Sequence, residues 1–186
     1  NKREFNRPHR VPTLSADHPD YDPKGGYWRG AVWPPTNYML LRGLTGVGYD
    51  DLAAAIGRNH HDNVVRVFEK TNTVWENYAP ESARPGSPAK DQFVGWGGVG
   101  PVAVFLEYVL GLRPDVPAGK LVWDVRLTEA HGVKRYPFGA RGTLDLYAAR
   151  RKSASDEPRL DVKSNVPLTL EVRWAGKTRR MKVSPQ

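Results

Sequence analysis

The apolar residues of this chain change their repeat once, near residues 113–119, and that change constrains the fold more than any other feature. Upstream, Leu52, Ile56, Asn63, Val64, Val67 and Phe68 recur at spacings near three and four through about residue 71. This predicts an amphipathic helix capped by Asp50 or Asp51. Tyr38, Met39, Leu41 and Leu44 follow Pro34 and Pro35, which a first helical turn tolerates, so a shorter helix precedes it and ends near Gly43 and Gly46. Val102, Phe105, Leu106, Val109 and Leu110 form one stripe of a third helix from about Gly98, with Gly111 as its stop.

Downstream the apolar residues alternate, as in 121–127, 144–147 and 168–174, which is the repeat of half-buried strands. Ala175-Gly176-Lys177 reads as a hairpin turn leading to a last strand with Met181 and Val183. Pro114, Pro117 and Gly119 break the helical repeat at the change. The expected class is therefore mixed: a mostly α segment over residues 1–112 and a small antiparallel β-rich region over 113–186.

Composition removes several kinds of chemistry. The chain has no cysteine, which excludes disulfides, thiolate metal sites and cysteine nucleophiles within it. The only neighbouring histidines, His60 and His61, point about 100° apart on a helix, so no metal site is expected. No apolar run is long enough to span a bilayer. The chain opens with Asn1-Lys2-Arg3-Glu4, without a hydrophobic leader, and reads as an internal cut that leaves localisation unassigned.

The net charge of +8 is unevenly placed: residues 1–112 carry 12 Lys/Arg against 12 Asp/Glu, and residues 113–186 carry 16 against 8. A basic β-rich tail can hold nucleic acid or face an acidic surface of further chain. The second reading is preferred, because Trp123, Tyr147 and Trp174 follow the strand alternation instead of interleaving with Arg150-Arg151-Lys152 and Arg179-Arg180. No nucleic-acid partner is expected.

Three clusters carry candidate chemistry. The first, Gly25 to Tyr38, packs glycines, Tyr27, Trp28, Trp33 and Arg29 into fourteen positions. Aromatic faces cover the C–H faces of a pyranose and a guanidinium donates to hydroxyls, so the mix suits sugar binding; equally, Trp28 and Trp33 can plug the core beneath a loop. The second, Val74 to Glu81, sets Glu76 between Trp75 and Tyr78 after the long helix. A glutamate so placed can act as a general base, or it is an exposed loop residue. The third, Lys90 to Pro101, has Phe93 and Trp96 beside glycines that lack the lysine placement of a phosphate loop.

The strings GGYWRGAVWPPTNYMLLRGL (25–44), VWENYAPES (74–82) and DQFVGWGGVGPVAVFLEYVLGL (91–112) resemble, in order and spacing, the C-terminal half of the catalytic domain of glycoside hydrolase family 63. That family includes bacterial α-glucosidases and mannosylglycerate hydrolases and shares a barrel with the trehalases. The resemblance implies an (α/α)6 barrel and an inverting mechanism in which Glu76 is the catalytic base. It implies that Trp28 and Arg29, with Trp33 nearby, line the subsite of the cleaved sugar, with Tyr78, Phe93 and Trp96 as weaker matches. The substrate expected is an oligosaccharide or small glycoside, α-linked through glucose or mannose.

Two-carboxylate inversion needs no metal or organic cofactor, so none is expected, but it does need a carboxylic acid ~6.5–9.5 Å from the base. No position here matches the family's acid motif; Asp17, Asp22 and Asp91 are loop residues without a reason for the role. Three helices cannot close a twelve-helix barrel. The chain alone is therefore expected to be inactive and completed by the remainder of the barrel, in the same or another chain. The rival expectation is a non-catalytic carbohydrate-binding or structural module.

Overall fold

A computed structural model describes residues 1–186, which divide into two compact units, Asn1–Tyr108 and Val109–Gln186. In the first unit, residues 1–33 contain neither helix nor strand. Instead the loop is stapled: the backbone N–H of His9 donates to Pro80 O (2.9 Å), that of Val11 to Asn37 Oδ1 (3.1 Å), and that of Arg10 to Asn59 Oδ1 (2.9 Å). Arg7 forks onto Glu81 at 2.6 and 3.0 Å, and the Tyr21 hydroxyl donates to the same carboxylate at 2.6 Å. Such pairing supplies the fixed partners a long segment without regular structure needs.

Helix α1, Pro34–Gly46, opens on the two prolines, and Trp33 stands at its N-cap without a side-chain cap. Helix α2 runs Asp50–Thr71 and stops where Asn72 takes a left-handed conformation. Its N-cap is Tyr49; Asp50 and Asp51, expected as caps, lie in the first turn, where negative charge faces the helix dipole. Leu41, Ala53, Ile56, Val104 and Tyr108 form one buried cluster, and Val32, Val64, Val67 and Tyr78 form another. Leu52 and Phe68, read as part of the α2 stripe, are exposed, and smaller Ala53, Gly57 and His60 take the inner face.

The third expected helix is wound differently. A 3₁₀ turn at Trp96–Val99 leads into a π-helical segment, Gly100–Val109. An i→i+5 winding holds more residues per turn, so a stripe read at 3.6 slips around it: Val102 is exposed while Val104 and Tyr108 are buried. The Tyr38 hydroxyl and Arg42 of α1 both donate to Glu107, at 2.6 and 3.1 Å, which ties α1 to this segment.

In the second unit, β1 (Leu112–Asp115), β2 (Lys120–Asp124), β6 (Leu168–Trp174) and β7 (Lys177–Val183) form a sheet in the order β1-β2-β6-β7. Strands β3 (His131–Phe138), β4 (Gly142–Ala148) and β5 (Leu160–Ser164) form a second sheet in sequence order. The β6–β7 hairpin closes on two residues, Ala175 and Gly176, both at positive φ. One pairing departs from the expected antiparallel pattern: β2 and β6 run parallel, with Trp123 opposite Val172. Parallel neighbours need a long crossover, and here β3 to β5 fill it. Inward residues such as Leu121, Trp123, Leu144, Leu146, Leu170 and Val172 are buried, and the Trp123 ring meets His131 edge-on at 6.0 Å.

The four arginines of the basic runs, Arg150, Arg151, Arg179 and Arg180, are engaged within this unit. Arg150 pairs with Glu129 at 3.3 Å and Arg179 with Glu157, while Arg151 donates to the carbonyls of Val125, Ala154 and Asp156. Buried Glu171 gathers Arg173, Arg180 and Lys120 at 2.6, 2.8 and 3.1 Å. No helix is long and apolar enough to cross a membrane.

Candidate active site

Backbone pairing joins the three sequence clusters. Val32 and Tyr78 exchange both hydrogen bonds, N–H to O, at 2.8 and 3.0 Å, which sets the Gly25–Trp33 loop beside the Trp75–Tyr78 segment. On the other flank Glu76 N–H donates to Lys90 O (2.9 Å) and Phe93 N–H to Val74 O (3.1 Å). Gly97 completes the approach, since a Cβ there would stand 3.0 Å from Trp75 O. Glu76 is thus held between two strand-like segments, and only 4% of it is exposed.

The Tyr27 hydroxyl faces Glu76 Oε1 at 3.3 Å. Partial loss of solvent, and then the Glu76 carboxylate, hold the phenol above its ordinary range, so it stays protonated and is the donor. Tyr27 has a φ of 61°, a left-handed backbone that a non-glycine residue rarely adopts. Its carbonyl accepts the Trp33 Nε1–H at 3.2 Å, which locks the turn to the indole below.

Around Glu76 and Tyr27 the rings make one continuous cluster. Trp33, fully buried, is the floor; Trp28 stacks flat upon it with centroids 4.1 Å apart and planes 4° from parallel, and remains 52% exposed. Tyr27 meets Trp33 edge-on at 4.8 Å and Trp28 at 5.9 Å. Trp96 meets Trp33 at 5.9 Å and Phe93 at 5.1 Å. The chemistry available is therefore a sheltered carboxylate with one hydroxyl donor, beside a partly open aromatic surface able to cover an apolar sugar face.

The expected site residues separate accordingly. Glu76, Trp28, Trp33, Phe93 and Trp96 come together. Arg29 is exposed and lies 3.8 Å from Asp22, at the edge of the same loop. Tyr78 does not join the cluster: its ring is fully buried among Val32, Val64 and Val67, and its hydroxyl accepts the Trp75 N–H at 3.3 Å. Among the loop aspartates, Asp17 accepts from the Ser15 hydroxyl (2.6 Å) and Asp22 from the Lys24 N–H (2.8 Å). No group of three or more His, Asp or Glu side chains is placed to hold a metal. Tyr27 stands in the first sequence cluster, but sequence reasoning gave it no role at the site; the signal was its place after two glycines, where a turn can aim a side chain back at a neighbouring segment.

A model of the mannosylglycerate hydrolase MGH1-like glycoside hydrolase domain matches residues 1–94. An uncharacterized protein of Borreliella burgdorferi is 23% identical over 141 residues, 70% of this chain and 30% of its own length. The probable mannosyl-oligosaccharide glucosidase of Schizosaccharomyces pombe is 32% identical over 105 residues, 51% of this chain and 13% of its own. Alpha-glucosidase 2 of Arabidopsis thaliana is 31% identical over 97 residues, 45% of this chain and 12% of its own. The chain thus spans less than a third of the length of these curated relatives. Among solved structures, an uncharacterized conserved protein from Thermus thermophilus superposes with a TM-score of 0.43 at 25% identity, covering 54% of this chain and 23% of that one.

Proposed function

The chain belongs to the MGH1-like glycoside hydrolase family, and from that membership we propose that it carries the catalytic base of an inverting enzyme acting on an α-linked glucoside or mannoside. The observation that supports this reading most is the placement of Glu76, a nearly buried carboxylate facing a protonated hydroxyl within an aromatic cluster. In the proposed reaction Glu76 takes a proton from water as the oxygen attacks the anomeric carbon. A second carboxylic acid, supplied by chain outside these residues, protonates the departing oxygen at ~6.5–9.5 Å from the base.

Trp28, on its Trp33 floor, is the platform for the sugar ring, with Trp96 and Phe93 continuing the wall and Arg29 reaching hydroxyls at the rim. Residues 1–112 contribute helices to an (α/α)6 barrel, with 113–186 as a β-rich subdomain. The exposed apolar side chains of Met39, Leu52, Phe68 and Val102 favour the barrel, since neighbouring helices would cover them. By itself this chain, lacking the acid, does not turn over substrate. The test is hydrolysis by the full-length protein, wild type beside Glu76→Gln, with the released anomer followed by NMR. Inversion in the wild type and a loss of ~10³-fold or more in the variant are expected. Unchanged activity would remove Glu76 from catalysis and leave a sugar-binding module as the better account.

A further inference from the structure

The outer face of the β3-β4-β5 sheet carries a groove of about 520 Å³ lined by Gly132, Lys134, Asp145, Tyr147, Asp161 and Lys163. Strand register explains the grouping. Tyr147 lies between Gly132 on β3 and Asp161 on β5, and Asp145 lies opposite Lys163. Along β4 alternate residues turn outward, and Tyr147, 50% exposed, is the one large ring among them.

Two details hold the ring open. At Gly132 a Cβ would come within 2.1 Å of Leu146 O, so β3 can place no side chain beside Tyr147. Between Val133 and Tyr136 the register shifts, and Arg135, at positive φ, donates its N–H to Asp145 Oδ1 at 2.8 Å. That bond fixes Asp145 in the groove. Lys134, Asp161 and Lys163 are exposed, so their side chains bring two ammonium groups and a carboxylate to the groove in contact with solvent.

Charge selects the ligand. The lining, which also includes His131, sets two carboxylates against two ammonium groups, and these four charges together offer neither an anionic nor a cationic ligand a net attraction. Acceptors and donors alternating around one aromatic face match a neutral ring that is apolar on its face and hydroxylated at its edge. We infer that this groove is an accessory binding site for a neutral hexopyranose unit of a glycan, with Tyr147 as platform, Asp145 and Asp161 accepting from hydroxyls, and Lys134 and Lys163 donating to them. The site belongs to a different compact unit from Glu76 and holds whether or not Glu76 is the base.

The test is affinity electrophoresis of the full-length protein carrying Glu76→Gln, in gels containing glycogen or an α-mannan, so that the polymer is not consumed. The protein is expected to be retarded by at least one of the two polymers. Tyr147→Ala weakens that retention about 10-fold, in line with the loss of one aromatic platform, while Tyr147→Phe, which keeps the ring, retains it. Adding Trp28→Ala leaves the Tyr147-dependent retention in place, which separates this groove from the Glu76 cluster. Equal retention of Tyr147→Ala and its parent, equal loss in Tyr147→Phe and Tyr147→Ala, no retention by either polymer, or retention by dextran sulfate alone would each overturn the inference. Superimposable thermal unfolding of the Tyr147 variants and their parent establishes that the fold is unchanged.

Discussion

Replacing Tyr27 by phenylalanine removes a single oxygen from the site and leaves the ring, its edge-on packing on Trp33 and the Trp33 Nε1–H bond to its carbonyl in place. What is lost is the hydroxyl that faces Glu76 Oε1 at 3.3 Å. A well-formed hydrogen bond to a carboxylate is worth roughly 10- to 100-fold. This one is longer than the ~2.5–3.0 Å of a strong O–H···O contact, and the phenol is 37% exposed, so water replaces part of what is removed. The expected cost is therefore at the low end, about 5- to 10-fold in kcat/KM of the full-length enzyme on an α-glycoside. A double-mutant cycle isolates the cause. If Tyr27 acts through Glu76, adding Tyr27→Phe to Glu76→Gln costs less than about 2-fold more. An unchanged kcat/KM in Tyr27→Phe, or the same loss in both backgrounds, would refute the coupling.

Trp28 and Trp33 should respond oppositely to truncation: Trp28→Ala keeps the fold and raises KM by ~10-fold, whereas Trp33→Ala, at a fully buried position, costs ~3–5 kcal/mol of stability by chemical denaturation. Gly57→Ala sets local preference against packing. Helix propensity alone favours alanine by ~1 kcal/mol, but a Cβ at Gly57 would stand 2.6 Å from Tyr108 Cβ, so a net loss of ~1–2 kcal/mol is expected, and a raised Tm would contradict it. Burial alone would raise the Glu171 carboxyl, but hydrogen bonds from Arg173, Arg180 and Lys120 outweigh it and pull it down to about 2. Its folded value lies below the unfolded one of ~4.3, so its stabilisation is present above that pH and is lost as pH falls toward about 2. Glu171→Gln should flatten the acid limb of the unfolding midpoint in that window, and an unaltered limb would remove Glu171 from acid unfolding.

Much of the local structure was legible. The α2 repeat, the prolines opening α1 and the alternation of β6 and β7 each report which side of one element is apolar, and that is a local property. The elements that escaped lack such a repeat. Strand β1 holds Pro114, β3 is interrupted by its bulge at Arg135, and β5 is exposed along alternate residues without a fully buried apolar face. The third helix was visible as helical, yet its π winding was not, because Val104 and Tyr108 are as apolar in sequence as Val102 and Phe105.

At the candidate site, the sequence by itself determined the inventory: a glutamate between aromatics, tryptophans after paired glycines, and a third aromatic pair before a helix. Which of these meet was decided by tertiary structure. Tyr27 and Tyr78 are both tyrosines beside candidate residues, but the Val32–Tyr78 pairing turns Tyr78 into the core while the left-handed turn at Tyr27 aims its hydroxyl at Glu76. The parallel β2–β6 pair has the same origin, since an alternating strand records its buried face and not its neighbour. Periodicity encodes how a side chain lies relative to its own backbone; the partner it finds depends on hydrogen bonds closed between segments tens of residues apart, and no local pattern contains them.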